Sequence, residues 1–162
     1  MSSPEGSTVT FRRAVVDVRP RTLARFARKL QSEVAGGRAF DCLITGDAEM
    51  RRLNREWRGK DLPTDVLSFP SGDAETGRRG TETERKTQRP LGDLAISAMR
   101  ARAAAREFGH STEDEVRILM LHGVLHLAGM DHEQDRGQMA RAEKRWRRAF
   151  GLPDGLIERV RG

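Results

Sequence analysis

Cysteine is almost missing from this sequence. Cys42 stands alone among 162 residues, which excludes an intrachain disulfide. No apolar run approaches the roughly 20 residues that a membrane-spanning helix needs. The opening stretch, MSSPEGSTVTFRR, lacks the apolar centre of a secretory signal. These absences predict a soluble, cytoplasmic protein. Lysine is scarce as well, with four against 26 arginines. The coding bias of a GC-rich genome is enough to produce that imbalance, so basic charge alone carries limited weight. Even so, a formal net charge of +6 and a pI near 10.6 point to an anionic partner, with nucleic acid the first choice. Length and an apolar fraction of 36% fit one domain over 1–162, large enough to bury a core without cross-links.

Between residues 71 and 90 the sequence lacks any large apolar side chain except Pro90 (SGDAETGRRGTETERKTQRP). Such a stretch has almost nothing to bury and predicts a mobile loop. Around it the pattern is ordered. Strands are expected at Val9–Val18, Ala39–Thr45, Asp65–Phe69 and Leu91–Ser97. Leu23, Phe26, Ala27 and Leu30 recur at helical spacing, giving a helix over about 20–35. Asp47 is placed to cap a second helix with Met50, Leu53 and Trp57 on its apolar face and Gly59 at its end. Further helices are expected over Ala98–Phe108, over about 112–128 behind a Ser111/Asp114 capping box, and over about 134–150 with Met139, Trp146 and Phe150 inward. Four strands and about five helices in this order make an α+β fold.

Histidine is the other scarce residue, and its distribution is uneven. Three of the four lie within LHGVLHLAGMDHEQD. From Val116 to Met130 the side chains are nearly all apolar, as in a buried central helix. His122 and His126, at i and i+4, share one face. Gly129 allows a sharp reversal, and His132 can then swing back toward them. Buried imidazoles need partners, and one metal ion serves all three. The spacing repeats the ligand pattern of the H-E-x-x-H-x-x-G-x-x-H zinc proteases, except that their glutamate base is here Gly123. Three neutral imidazoles leave a tetrahedral ion one open position. Zinc is the first candidate, with nickel or copper also suited to imidazole.

LNREWRGKDLPTDVLSFP, residues 53–70, is the second unusual stretch. Arg51, Arg55 and Arg58 fall on one helical face and Lys60 follows. Such an array can contact successive phosphates. Arg51 and Arg55 are equally at home on a solvated face. Arg58 and Lys60 border a tight turn into a strand, where sites are often built. Thr64, Asp65 and Ser68 add polar side chains beside that strand, Thr64 as a turn residue first. Asp131 is expected to cap the turn before His132 or to orient a ligand.

HGVLHLAGMDH, with LN..WRGKD.PTDVLSFP and LGDLAIS, resembles the YbeY family of bacterial endoribonucleases over roughly residues 40–150. The resemblance implies a small mixed sheet surrounded by helices, a zincin-like central helix, and a zinc ion held by His122, His126 and His132. It implies that Arg58 is the functional arginine near the metal. It also implies cleavage of single-stranded RNA in ribosomal RNA maturation, at the 3′ end of the small-subunit RNA, and in ribosome quality control. The ribosome, small-subunit proteins and assembly factors would be the partners. The chain departs from the family at Met130, where an aromatic is expected, and in its long charged loop.

The residues leave the nucleophile open between a water and the RNA's own 2′-hydroxyl. Two other functions compete. One is a zinc hydrolase of peptides or small amides, against which Gly123 counts. The other is a non-catalytic ribosome-assembly factor with a structural metal.

Overall fold

In the computed structural model, which describes residues 6–15, 17–71 and 89–161, a mixed four-stranded sheet separates two unequal layers. The strands are β1 (Thr8–Phe11), β2 (Phe40–Thr45), β3 (Val66–Pro70) and β4 (Gly92–Ser97). Their spatial order is β1-β2-β4-β3. β1 and β4 run parallel to β2, and β3 runs antiparallel to β4 as an edge. The helices are α1 (Pro20–Glu33), α2 (Asp47–Arg58), α3 (Ala98–Phe108), α4 (Thr112–Leu127), α5 (Gln138–Ala149) and α6 (Leu156–Arg161). None of them is long and apolar enough to cross a membrane.

Alternation along the strands divides the side chains. Phe40, Cys42, Ile44, Leu94 and Ile96 are buried in the main core with Leu23, Phe26 and Leu30 of α1 and most of α4. α4 is apolar on all sides because all sides are covered; even Glu115 and His122 are buried. Gly123 lets this helix lie close to the sheet. A Cβ there would come 2.6 Å from the Leu94 side chain. Among the described residues, the opposite face of the sheet is covered by α2, through a small cluster of Met50, Leu67 and Ala95 with Leu53 and Phe69.

Several expectations need correction. β1 stops at Phe11, not Val18, because its partner β2 ends: Phe11 pairs with Ile44, and the Arg12 N–H takes the Ile44 carbonyl at 2.9 Å. Asp47 is not the α2 cap. Gly46 occupies that position, and the Asp47 carboxylate accepts from the Ser97 hydroxyl of β4 at 2.7 Å. Trp57 is 70% exposed, since only the first turns of α2 rest on the sheet. The last long helix begins at Gln138, not near 134, because the Asp135 carboxylate caps it by accepting from the Gly137 and Met139 N–H groups at 2.8 and 2.9 Å. A sixth helix, α6, follows it. The capping box holds: the Ser111 hydroxyl accepts from the Asp114 N–H at 3.0 Å. Of the expected loop at 71–90, residues 72–88 lie outside the described residues.

Candidate active site

α4 ends in a tight reversal that the sequence dictates. Gly129 takes φ +99°, a left-handed conformation that glycine adopts without steric cost. Its N–H meets the His126 carbonyl at 2.9 Å, and the Met130 N–H meets the Leu125 carbonyl at 3.1 Å. This is the double bond pattern of a Schellman stop. Asp131 then caps the following turn, accepting from the Glu133 N–H at 3.0 Å. The result brings His132 back over the helix. The His122, His126 and His132 rings stand 4.8, 5.5 and 5.6 Å apart centre to centre. Each offers a nitrogen, and these three atoms lie within 4.8 Å of one another.

The donors suit a metal ion. Burial, with the charges of His122 and His132 behind it, pushes His126 below the ordinary histidine range. That favours the neutral ring that can coordinate. His132 Nδ1 is buried with no hydrogen-bond partner among the described residues. His122 Nδ1 lies 2.7 Å from Glu143 Oε2. A carboxylate only accepts, so this contact fixes the proton on Nδ1 and leaves the other ring nitrogen its lone pair.

Glu143 was not found in the sequence reading. It is 0% exposed, and its second oxygen accepts from the Ile157 N–H of α6 at 2.9 Å. Gly155 makes room for it, because a Cβ there would collide with the carboxylate. A signal existed. Position 143 falls on the inward stripe of α5 between Met139 and Trp146, where a lone acid must have a partner.

Of the second stretch, Arg58 and Ser68 line a groove of about 860 Å³ on the open face of the sheet, whereas Arg51, Arg55, Lys60, Thr64 and Asp65 do not. Trp57, Arg58, Ser68, Phe69, Asp41 and Asp93 are among its walls. Ser68 connects the two regions. It lines the groove, and its hydroxyl donates to the Gly123 carbonyl beside His122 at 3.3 Å. Arg58 is exposed and has no ion-pair partner among the described residues. Arg51 and Arg55 are different. The Asp61 carboxylate takes Arg51 in a forked pair at 2.8 and 3.2 Å, and Arg55 stands 3.7 Å away. Lys60 is exposed next to them. Thr64 is a turn residue, with its hydroxyl 3.5 Å from Asp65, whose carboxylate in turn accepts from the Val66 N–H at 2.8 Å.

Gly123 also bears on the protease comparison. Its Cα faces Leu94 of the sheet. A glutamate at this position would be driven into the core and would not stand beside the imidazoles.

A sequence model of the family described as Endoribonuclease YbeY matches residues 9–151. The chain belongs to this family. It is similar to the Endoribonuclease YbeY of Solibacter usitatus, with 64% identity over 160 residues and 99% of each chain covered. The Koribacter versatilis protein of the same name is 40% identical over 153 residues, covering 94% of this chain and 91% of its own. The solution structure of TM1509 from Thermotoga maritima shares the fold, with a TM-score of 0.56 at 24% identity over 89% of this chain and 90% of that one. This YbeY-family chain is accordingly an endoribonuclease, an RNA-cleaving hydrolase.

Proposed function

We propose that the chain is a single-domain, single-strand-specific, metal-dependent endoribonuclease. Its catalytic residues are His122, His126, His132 and Arg58. The three histidines hold one zinc ion, with nickel as an alternative. It acts in the cytoplasm on ribosomal RNA, at the 3′ end of the small-subunit RNA, and in ribosome quality control alongside small-subunit proteins and assembly factors. The carrying observation is the convergence of the three ligand nitrogens within 4.8 Å at the end of α4, whose Gly123 carbonyl accepts from Ser68, a residue that also lines the groove of Arg58. The ribosomal role rests on the family likeness.

The residues divide the work. His122, His126 and His132 hold the ion, and Glu143 keeps His122 in the required tautomer. A bound zinc ion supplies Lewis acidity toward a phosphoryl oxygen. Arg58 meets the scissile phosphate with forked donors and offsets the charge that grows there in the transition state. Having no ion-pair partner to leave among the described residues, it reorganises little. Arg51, Arg55 and Lys60 contact flanking phosphates, the first two exchanging Asp61 for the RNA backbone. Asp131, the carboxylate adjacent to His132, is assigned first to the turn that it caps, and the product ends identify the nucleophile. A cyclic phosphate marks attack by the 2′-hydroxyl, and a 5′-phosphate marks attack by water.

The test is cleavage of a single-stranded RNA by protein as purified, after chelation, and after zinc is restored, beside His126→Ala. Activity that follows the metal and vanishes in His126→Ala is expected. Undiminished cleavage by the chelated protein or by the variant would refute the reading.

A further inference from the structure

The open groove contains groups that phosphate binding does not explain. Asp41 and Asp93 stand directly opposite each other on β2 and β4. Both are exposed and both line the groove. Like charges placed so work against the sheet, and they repel RNA phosphates. Asp41 has the Thr8 hydroxyl as donor. Asp93 has no partner among the described residues. Partial loss of water around the carboxyl, followed by the Asp41 charge, pushes it above the ordinary aspartate range even though the residue as a whole is exposed. Trp57 is the other unexplained group. It exposes 70% of its surface and is braced edge-on by Phe69 at 6.1 Å. The groove therefore joins an aromatic surface to hydrogen-bond acceptors, with the uncommitted Arg58 on the same wall.

Single-stranded RNA supplies the complement to each. Its unstacked bases settle on aromatic side chains and expose their Watson–Crick edges. Cytosine, adenine and guanine carry amino donors that an aspartate accepts, whereas uracil sets a carbonyl oxygen in the place of cytosine's amino group. A basic peptide would satisfy the two aspartates. It would also meet Arg12 and Arg58 lining the same groove, so the mixture of charges favours a nucleotide.

We propose that this groove is a nucleobase subsite, in which Trp57, braced by Phe69, stacks one base, Asp93 beside Asp41 accepts from its amino edge, and Arg58 meets the adjoining phosphate. An amino-bearing base is thereby preferred to uracil. The inference rests on the reading of the chain as an enzyme of single-stranded RNA, and it adds a base preference to it.

The experiment is fluorescence anisotropy with the full chain and labelled 2′-O-methyl octamers of cytidine and of uridine, which resist cutting through the 2′-hydroxyl, and with an abasic octamer. The cytidine octamer should bind about tenfold more tightly than the uridine one, within the range for one good base contact. Asp93→Asn, an exposed and isosteric change, should reduce that ratio to about twofold or less, because an amide both donates and accepts. Trp57→Ala should weaken the cytidine octamer about tenfold, the scale of one stacked base, and leave the abasic one unchanged. Trp57 emission, read in a Trp146→Phe background, should be quenched by the cytidine octamer and not by the abasic one. Equal wild-type affinities for the two octamers, or a ratio untouched by Asp93→Asn, would overturn the subsite. So would quenching by oligolysine without a response to RNA, which would make the groove a protein-docking face. Cleavage of ordinary RNA by the zinc-loaded protein, measured in parallel, separates the two claims. Cleavage alongside equal affinities removes the subsite alone. No cleavage removes the underlying reading with it.

Discussion

The two faces of the sheet treat their polar groups in opposite ways. On the covered face, Glu143 and Ser68 are tightly held. Glu143 is shared between His122 and the Ile157 N–H, and Ser68 bonds the Gly123 carbonyl. On the open face, Trp57 projects into solvent and Arg58 and Asp93 have no partners among the described residues. The three imidazoles that could hold a metal ion are anchored through His122, which is buried and bonded to Glu143, while His126 and His132 are half-buried. A surface for a flexible polymer needs groups that are free to engage, and exposure leaves them free. One four-stranded sheet supplies both.

If that contrast is right, damage to the covered face should unfold or empty the cage, and damage to the open face should spare the fold. The largest effect is expected from Glu143→Ala. The change leaves the His122 Nδ1–H and the Ile157 N–H buried without an acceptor, at about 1–3 kcal/mol for each, and losing the support of a ligand lowers metal affinity about 10–100-fold. Denaturant melts and metal titration measure the two separately. Arg58→Ala should slow RNA cleavage about 100-fold or more, the scale of one lost charge-stabilising donor. Its melting curve should match wild type, and cleavage should fall far more than RNA affinity does. A large loss of stability in Arg58→Ala would place this residue with the covered face and end the comparison.

Gly123→Ala comes next. The added methyl meets a buried Leu94, and overpacking of this kind costs about 1–3 kcal/mol, which thermal denaturation would detect. A neutral result would mean that α4 can lift from the sheet. The smallest effect concerns acid stability. The hydrogen bond from Arg147, at 2.7 and 2.8 Å, holds Glu158 below its ordinary value of 4.5. A depressed carboxylate contributes stability above that unfolded value and loses it as pH falls through the lower folded one. Glu158→Gln should therefore flatten the fall in melting temperature below pH 4.5 and lower stability slightly at neutral pH.

Most of the cage was legible because its grammar is local. The helix expected at about 112–128 is observed as Thr112–Leu127, and the i, i+4 histidines, the glycine stop and the Asp131 cap all act within a dozen residues. Glu143 escaped notice because its partner lies 21 residues away, although its place on an apolar stripe was a clue. Trp57 was misplaced for a different reason. Helical periodicity reveals which face is apolar, but not how far a neighbouring sheet extends beneath it. The Asp61 clamp on Arg51 closes across a turn, a geometry that sequence spacing does not encode. α6 has only six residues, too few to show a period.

The Glu143 carboxylate has a consequence in time as well as space. It is gripped from one side by a ligand of the cage and from the other by the Ile157 amide, which is 35 residues further along the chain than His122. During synthesis on the ribosome, all three histidines are made well before that amide exists. Until residue 157 has emerged, Glu143 lacks its second anchor and the cage its full rigidity. The rigidity of the histidine cluster therefore depends on a residue that is made after all three of its imidazoles.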